Sequence, residues 1–343
     1  MAKEEFDIAI PLYQVRWNTR AVLEGLTTHY QPRTIQIITP ELQVQPLKEK
    51  VVEWQTAPVY IHAEESFFQQ KSGLSKEAIC ADLDLGQSLY TSGWFYQQLL
   101  KLGAYEGIEG LSEWYVVWDS DLLPVDTWPL IQEHQQTVHH TFALLQHNQW
   151  GNPKIVSIWE QWIRSVLGVE PLSDRVGTFI PHHMWFKQEH LESFKRQLKH
   201  YFQSNKHWLL LMMRSANEFG TFSEYWSYVS WVAATASTDL AFHPYEQYGE
   251  TTERFFDDGT GLFSASLKRY QSIVSQSSND NFSPSYAEVE SFIRAEYGSD
   301  ALPSSLSFES SPRHLEKNKE NMHIEELRSR WNPRVVEASG TTN

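Results

Sequence analysis

Apolar residues in this chain fall into short runs closed by polar or charged residues, with helical spacing between them. The run 6–13, FDIAIPLY, reads as a buried strand bounded by Gln14. A helix is expected over about 17–28, where Ala21, Val22 and Leu26 share a face. The runs TIQIITP (34–40) and VYIHAEE (59–65) read as second and third strands, the first closed by Pro40 and the second by carboxylates. Residues 91–102 place Phe95, Leu99 and Leu102 on one helical face, with Gly103 at the C-cap position. The strand YVVW (115–118) follows, and it stops on Asp119-Ser120-Asp121.

Further on, VGTFIPHHMWF (176–186) reads as a strand and turn. Helical spacing returns at Leu191, Phe194, Leu198 and Phe202, and HWLLLMM (207–213) as a buried helix. The segment 222–237 reads as a helix capped by Ser223, with Glu224 in its first turn. Strands alternating with helices predict an α/β class with a mainly parallel sheet flanked by helices. After about 295 the chain turns polar, so 1–295 is expected to be a single catalytic domain and 296–343 a flexible tail with one short helix near 318–330.

Composition narrows the options. Of 343 residues 41% are hydrophobic and 14 are tryptophan, ample for a core. The single cysteine, Cys80, excludes an internal disulfide and any cysteine zinc cluster, and a small buried hydrophobe is its plainest role. A formal net charge of −15 disfavours nucleic acid and anionic membrane as partners. No apolar run reaches the ~20 residues of a membrane span, and the N-terminus lacks a signal pattern, so a cytoplasmic protein is expected.

Two aspartates one residue apart at a strand end are the first candidate chemistry. On extended backbone Asp119 and Asp121 point to one side. Like charges so close call for a cation or a proton between them. Oxygen ligands of this kind suit Mg2+ or Mn2+, which keep positions open for diphosphate oxygens. Solvated loop aspartates before Pro124 are the plain alternative.

Four blocks then carry a resemblance: GWFYQQLLKL (93–102), YVVWDSD (115–121), FIPHHMWF (179–186) and FSEYWSYVSWV (222–232). Together they resemble nucleotide-sugar glycosyltransferases of the GT-A type, and more narrowly a sparsely characterised DxD-containing family of bacteria and fungi. The likeness ends near residue 240. It implies a Rossmann-type sheet with a nucleotide half over about 1–121 and an acceptor half over about 122–295. It also implies transfer from a nucleoside-diphosphate sugar, UDP-sugar first among them, to a carbohydrate or other hydroxyl acceptor. Asp119 and Asp121 would hold the cation.

The resemblance suggests further roles. Glu224 is the candidate general base, or else a first-turn glutamate complementing the helix dipole. His182 or His183 would touch the diphosphate or the metal, adjacent side chains pointing apart so that one of them serves. Gln97 and Lys101 share a helical face and would approach the donor phosphates, unless Lys101 is merely solvated. Tyr13 would stack on the base and Arg16 approach a phosphate, the alternative being surface positions. His243 is the candidate late metal ligand. Trp94, Trp185, Trp226 and Trp231 are assigned to the core rather than to sugar stacking.

Two other readings stay open. One is a metal-dependent phosphoryl or nucleotidyl transferase or hydrolase, with FFDDG (255–259) supplying more carboxylates if it is not simply a turn. The other is a non-catalytic carbohydrate-binding relative.

Overall fold

A computed structural model describes residues 5–56, 58–127, 130–134, 137–143, 153–172, 182–243, 252–256, 283–297, 302 and 304–309. In chain order the elements begin with β1 (Asp7–Pro11), α1 (Thr19–Tyr30), β2 (Thr34–Thr39), α2 (Glu41–Trp54) and β3 (Val59–Ala63). Next come α3 (Gln69–Ser72), α4 (Lys76–Cys80), α5 (Ser92–Leu102), α6 (Ala104–Gly107), β4 (Trp114–Trp118) and β5 (Leu122–Pro124). They continue with β6 (Ile131–His134), β7 (Thr137–Ala143), α7 (Pro153–Trp162), β8 (His183–Lys187), α8 (Gln188–Tyr201) and α9 (Trp208–Phe219). The last are α10 (Glu224–Thr235), β9 (Leu240–His243), β10 (Thr252–Phe256), α11 (Tyr286–Tyr297) and β11 (Ser305–Glu309).

The chain divides into two compact units, the first made of Met1–Val15, Tyr30–Ser120 and Trp128–Gly249. Its main sheet has the order β3-β2-β1-β4-β8. The first four strands are parallel and β8 is antiparallel to β4, so the class is α/β with a mostly parallel sheet and flanking helices. Every residue of β1 is buried, and all but the first of β2. Strands covered on both faces need continuous apolar runs rather than alternation, which is how the sequence reads there. The half-exposed β3 is an edge. At the start of β1 the buried Asp7 carboxylate is satisfied by Arg33 Nε at 3.0 Å, Thr34 Oγ1 at 2.7 Å and the Ser112 amide at 2.8 Å. A second sheet, β6-β7-β9, belongs to the same unit.

The helix read over 91–102 is α5, and Thr91 Oγ1 accepts the Trp94 amide at its start. Gly103 does end it, but with φ −112° rather than a left-handed cap. Space is the reason for a glycine: a Cβ there would meet the Phe68 ring at 2.6 Å. The pattern gives no hint of α2, because only Leu47 and Trp54 of its residues are buried.

The second unit comprises Arg16–His29, Asp121–Thr127 and Glu250–Asn343. Its sheet is β10-β11-β5, with β10 and β11 parallel. Helices α1 and α11 meet closely: Glu24 accepts the Tyr286 amide at 2.7 Å, and His29 Nε2 bonds Tyr286 Oη at 2.6 Å. A Cβ on Gly25 would lie 3.0 Å from Pro124 and from Tyr286, so this packing wants glycine. Strand β11 falls within the segment after 295, where the sequence reading places a flexible polar tail with one short helix near 318–330 and no strand. Ser305, Leu306, Ser307 and Phe308 are buried because β11 pairs on both sides, and polar serines survive there as small side chains. The helix expected near 318–330 lies outside the described residues, as do 173–181 and 257–259; Phe255 and Phe256 belong to β10.

Candidate functional site

Parallel order β3-β2-β1-β4 puts a change of winding direction between β1 and β4. In open α/β sheets such a switch point, outside the carboxyl ends of the strands, is where ligands bind. The register Asp7↔Tyr115 and Ala9↔Val117 sets the end of β1 level with the residue after Trp118, which is Asp119. The antiparallel neighbour β8 pairs Trp118 with His183, and the Asp119 amide donates to the His182 carbonyl at 2.7 Å. The ladder thus runs one residue past both strands and sets His182 beside Asp119.

The Asp119 carboxylate is held on both oxygens. Oδ1 lies 2.7 Å from Lys101 Nζ and accepts from Tyr225 Oη at 2.9 Å. Oδ2 faces His182 Nδ1 at 3.2 Å. Lys101 also reaches Glu224 Oε1 at 2.9 Å and sits 4.4 Å from the centre of the Tyr225 ring. One buried ammonium therefore bridges two carboxylates. Burial alone would raise the Asp119 carboxyl, but Lys101 and His182 hold it well below the usual carboxylate range. Burial would likewise lower the Lys101 ammonium, and the two carboxylates raise it above an ordinary lysine.

Two helices deliver these groups. Lys101 rides the last turn of α5, and Glu224 and Tyr225 the first turn of α10, whose cap Ser223 accepts the Trp226 amide. Lys101 is buried, which overturns the solvated-lysine alternative: its neighbours on α5 are core residues and its charge is matched internally. Gln97 is half-buried on the same helix, while Gln98 is buried and donates to the Trp94 carbonyl at 3.3 Å.

The adjacent histidines part as expected. His183 is buried and stacked on Trp118 with ring centres 4.9 Å apart, and burial together with the nearby His182 pushes its imidazole down to about 3. It is a neutral core group. It is also the first residue of β8. Tyr13 is 76% exposed just past β1. Arg16, in the second unit, donates to the Phe308 carbonyl at 3.1 Å. His243 closes β9, and its side chain lies outside what is described.

Asp121 does not share an extended backbone with Asp119, because Ser120 and Asp121 form a turn. The two peptide bonds between them still leave carboxylate oxygens within 4.8 Å of one another. Trp185 and Trp226 are buried as expected, whereas Trp94 is half-exposed and stacked on Tyr90 at 4.0 Å. Sequence reasoning missed Tyr225, since nothing in its spacing marks one tyrosine among many as the partner of Asp119.

These features define an α/β protein with a mostly parallel sheet and a buried carboxylate–ammonium–imidazole cluster at a strand end. The chain belongs to DUF6492, a family of unknown function, whose profile matches residues 18–282. No curated protein matches the sequence. Among solved structures, mouse xyloside xylosyltransferase 1 in its apo form is 8% identical, aligning over 89% of this chain and 98% of its own, with a TM-score of 0.40. PaToxG glycosyltransferase is 11% identical over 94% of this chain and 87% of its own, with a TM-score of 0.34. Among the described residues no helix is long and apolar enough to cross a membrane.

Proposed function

We propose that the protein is a glycosyltransferase that takes its sugar from a nucleoside diphosphate, UDP first, with help from a divalent cation. The observation that carries this reading is Asp119 just past the carboxyl end of β4, beside the switch point of the sheet, the position at which open α/β sheets bind their ligands. The donor set fits the cation: the carboxylates of Asp119 and Asp121, with the His182 imidazole beside Asp119, suit Mn2+ or Mg2+. Bound there, the cation would offset charge on the departing diphosphate.

The chain's own groups do the rest. Lys101 keeps Asp119 ionised and holds both Asp119 and Glu224 in place, and Tyr225 locks the Asp119 side chain so that Oδ2 points to His182. Glu224 Oε1 is committed to Lys101, and Oε2 takes the proton of the acceptor hydroxyl. Tyr13 lies beyond the end of β1, where a ring would stack on the nucleobase. Arg16 and Gln97 serve the donor phosphates in this reading, and His243 remains the late ligand.

The test is donor hydrolysis. Purified protein is incubated with UDP-, GDP-, dTDP- and CDP-sugars plus Mn2+, beside Asp121→Ala and an EDTA control. Release of one nucleoside diphosphate, abolished in both controls, is the expected result. Release of inorganic phosphate or of a nucleoside monophosphate would instead favour phosphoryl or nucleotidyl chemistry. Absence of both turnover and Mn2+-dependent nucleotide binding would overturn the reading.

A further inference from the structure

We propose that the Tyr90–Trp94 pair is the acceptor platform of this site, and that the acceptor is a glycoside carrying an apolar aglycone; this rests on the glycosyltransferase reading above. The two rings stack with centres 4.0 Å apart and 16° between planes, immediately before and within the first turn of α5. Both are half-exposed. They stand on Phe95, which is fully buried and meets each ring edge-on, at 88° and 84°. A core phenylalanine under both edges fixes the pair and leaves it at the surface as a rigid aromatic slab. The face of such a slab is electron-rich, and the C–H side of a pyranose ring presents partial positive charge to it.

Location ties the slab to the reacting groups. Trp94 and Lys101 are seven residues apart on α5, on one face and about 10 Å apart along the axis. Lys101 is the ammonium that bridges Asp119 and Glu224. Phe222, whose ring centre lies 6.4 Å from that of Trp94, precedes Glu224 by two residues. The Tyr90 phenol responds to the same carboxylate: burial, then Glu224, raise it to about 12.

The aglycone follows from what flanks the slab. Leu85 is 60% exposed and Leu89 43% exposed, two large apolar side chains within five residues of one another and next to Tyr90. Their segment is anchored: the Leu89 amide donates to the Gly220 carbonyl at 2.9 Å, and Asn217 Oδ1 accepts the Asp84 amide at 2.7 Å. Single exposed leucines are ordinary, but two in the segment that runs into Tyr90 and Trp94 bring exposed apolar surface to the platform as a strip along the chain. A sugar ring on the rings, with its aglycone running along Leu89 and Leu85, covers that strip. An acceptor without an apolar part would leave it bare.

Saturation-transfer NMR on the full-length protein tests this, using methyl and octyl β-D-glucopyranosides and galactopyranosides below their micelle concentrations. Expected are transfer to the sugar ring hydrogens of at least one series and octyl binding about tenfold tighter than methyl. Trp94→Ala should abolish transfer, and Leu89→Ser should reduce octyl affinity to that of methyl without changing the latter. Binding of Mn2+ with UDP, titrated in parallel, should stay within about twofold of wild type in both variants. No transfer from any glycoside, or transfer unaltered in a folded Trp94→Ala variant, overturns the proposal. Should that variant not fold, intermolecular NOEs from the sugar to the Trp94 indole of the wild type decide, and their absence overturns it. Glycoside binding without Mn2+–UDP binding would sink the donor assignment alone, and the reverse result would sink the platform alone.

Discussion

Lys101 Nζ lies 2.7 Å from Asp119 Oδ1, and the same ammonium holds Glu224 at 2.9 Å. A buried charge with two opposite partners is costly to remove, because it leaves both carboxylates uncompensated. Lys101→Met is expected to lose about 3–5 kcal/mol of stability, read by urea denaturation at pH 7. The loss should shrink in Lys101→Met/Glu224→Leu, which takes out one stranded charge. Because Asp119 is held below its ordinary value of 3.8, its pairing stabilises above that pH. That part is lost as pH falls through the lower folded value, so the gap between wild type and variant should narrow in acid. A constant gap from pH 7 to pH 3 would contradict the ion-pair account.

Asp119→Asn keeps the shape of the side chain and removes its charge. Mn2+-dependent binding of UDP, measured by calorimetry, should weaken at least about tenfold. Asp121→Asn should do the same, and His182→Ala should weaken binding without abolishing it. Binding unchanged in both aspartate variants would show that the carboxylates serve the fold and not the donor.

Burial pushes the Cys80 thiol up to about 11. Only the thiolate reacts, so alkylation by iodoacetamide at pH 8 should run on the order of a hundredfold slower than for an unperturbed cysteine. The rate should climb about tenfold per pH unit until the pH nears that value. A fast reaction at pH 7 would mark Cys80 as activated.

Lys195 sits within a cage on the other helices. Its ammonium pairs with Glu106, contacts Tyr105 Oη at 2.5 Å, and lies 4.1 Å and 4.4 Å from the Tyr105 and Trp208 ring centres. Burial outweighs Glu106 and lowers it to about 8 from 10.5. The unfolded chain thus keeps this proton over a window in which the folded chain releases it, so the Lys195 contribution to stability rises with pH between about 8 and 10.5. Urea denaturation of wild type and Lys195→Met across that window should show the rise in the wild type only.

Much of this protein was legible in its order of residues. The continuous apolar runs of β1, β2 and β4 are what strands buried on both faces require, and the run 115–118 placed Asp119 just past a strand end. Ser223 signalled the start of α10, since an oxygen side chain there satisfies a first-turn amide. Tertiary structure alone decided the partners. Lys101 and Glu224 are 123 residues apart, and Asp119 and Tyr225 are 106 apart. No local spacing predicts such pairs; they exist because α5 and α10 pack together and β8 extends its ladder to His182. Which of His182 and His183 lies beside Asp119 was decided the same way, with His183 stacked on Trp118 and His182 left to face the carboxylate. So too was the strand β11, whose small polar residues read as a tail until two neighbouring strands supplied their hydrogen bonds.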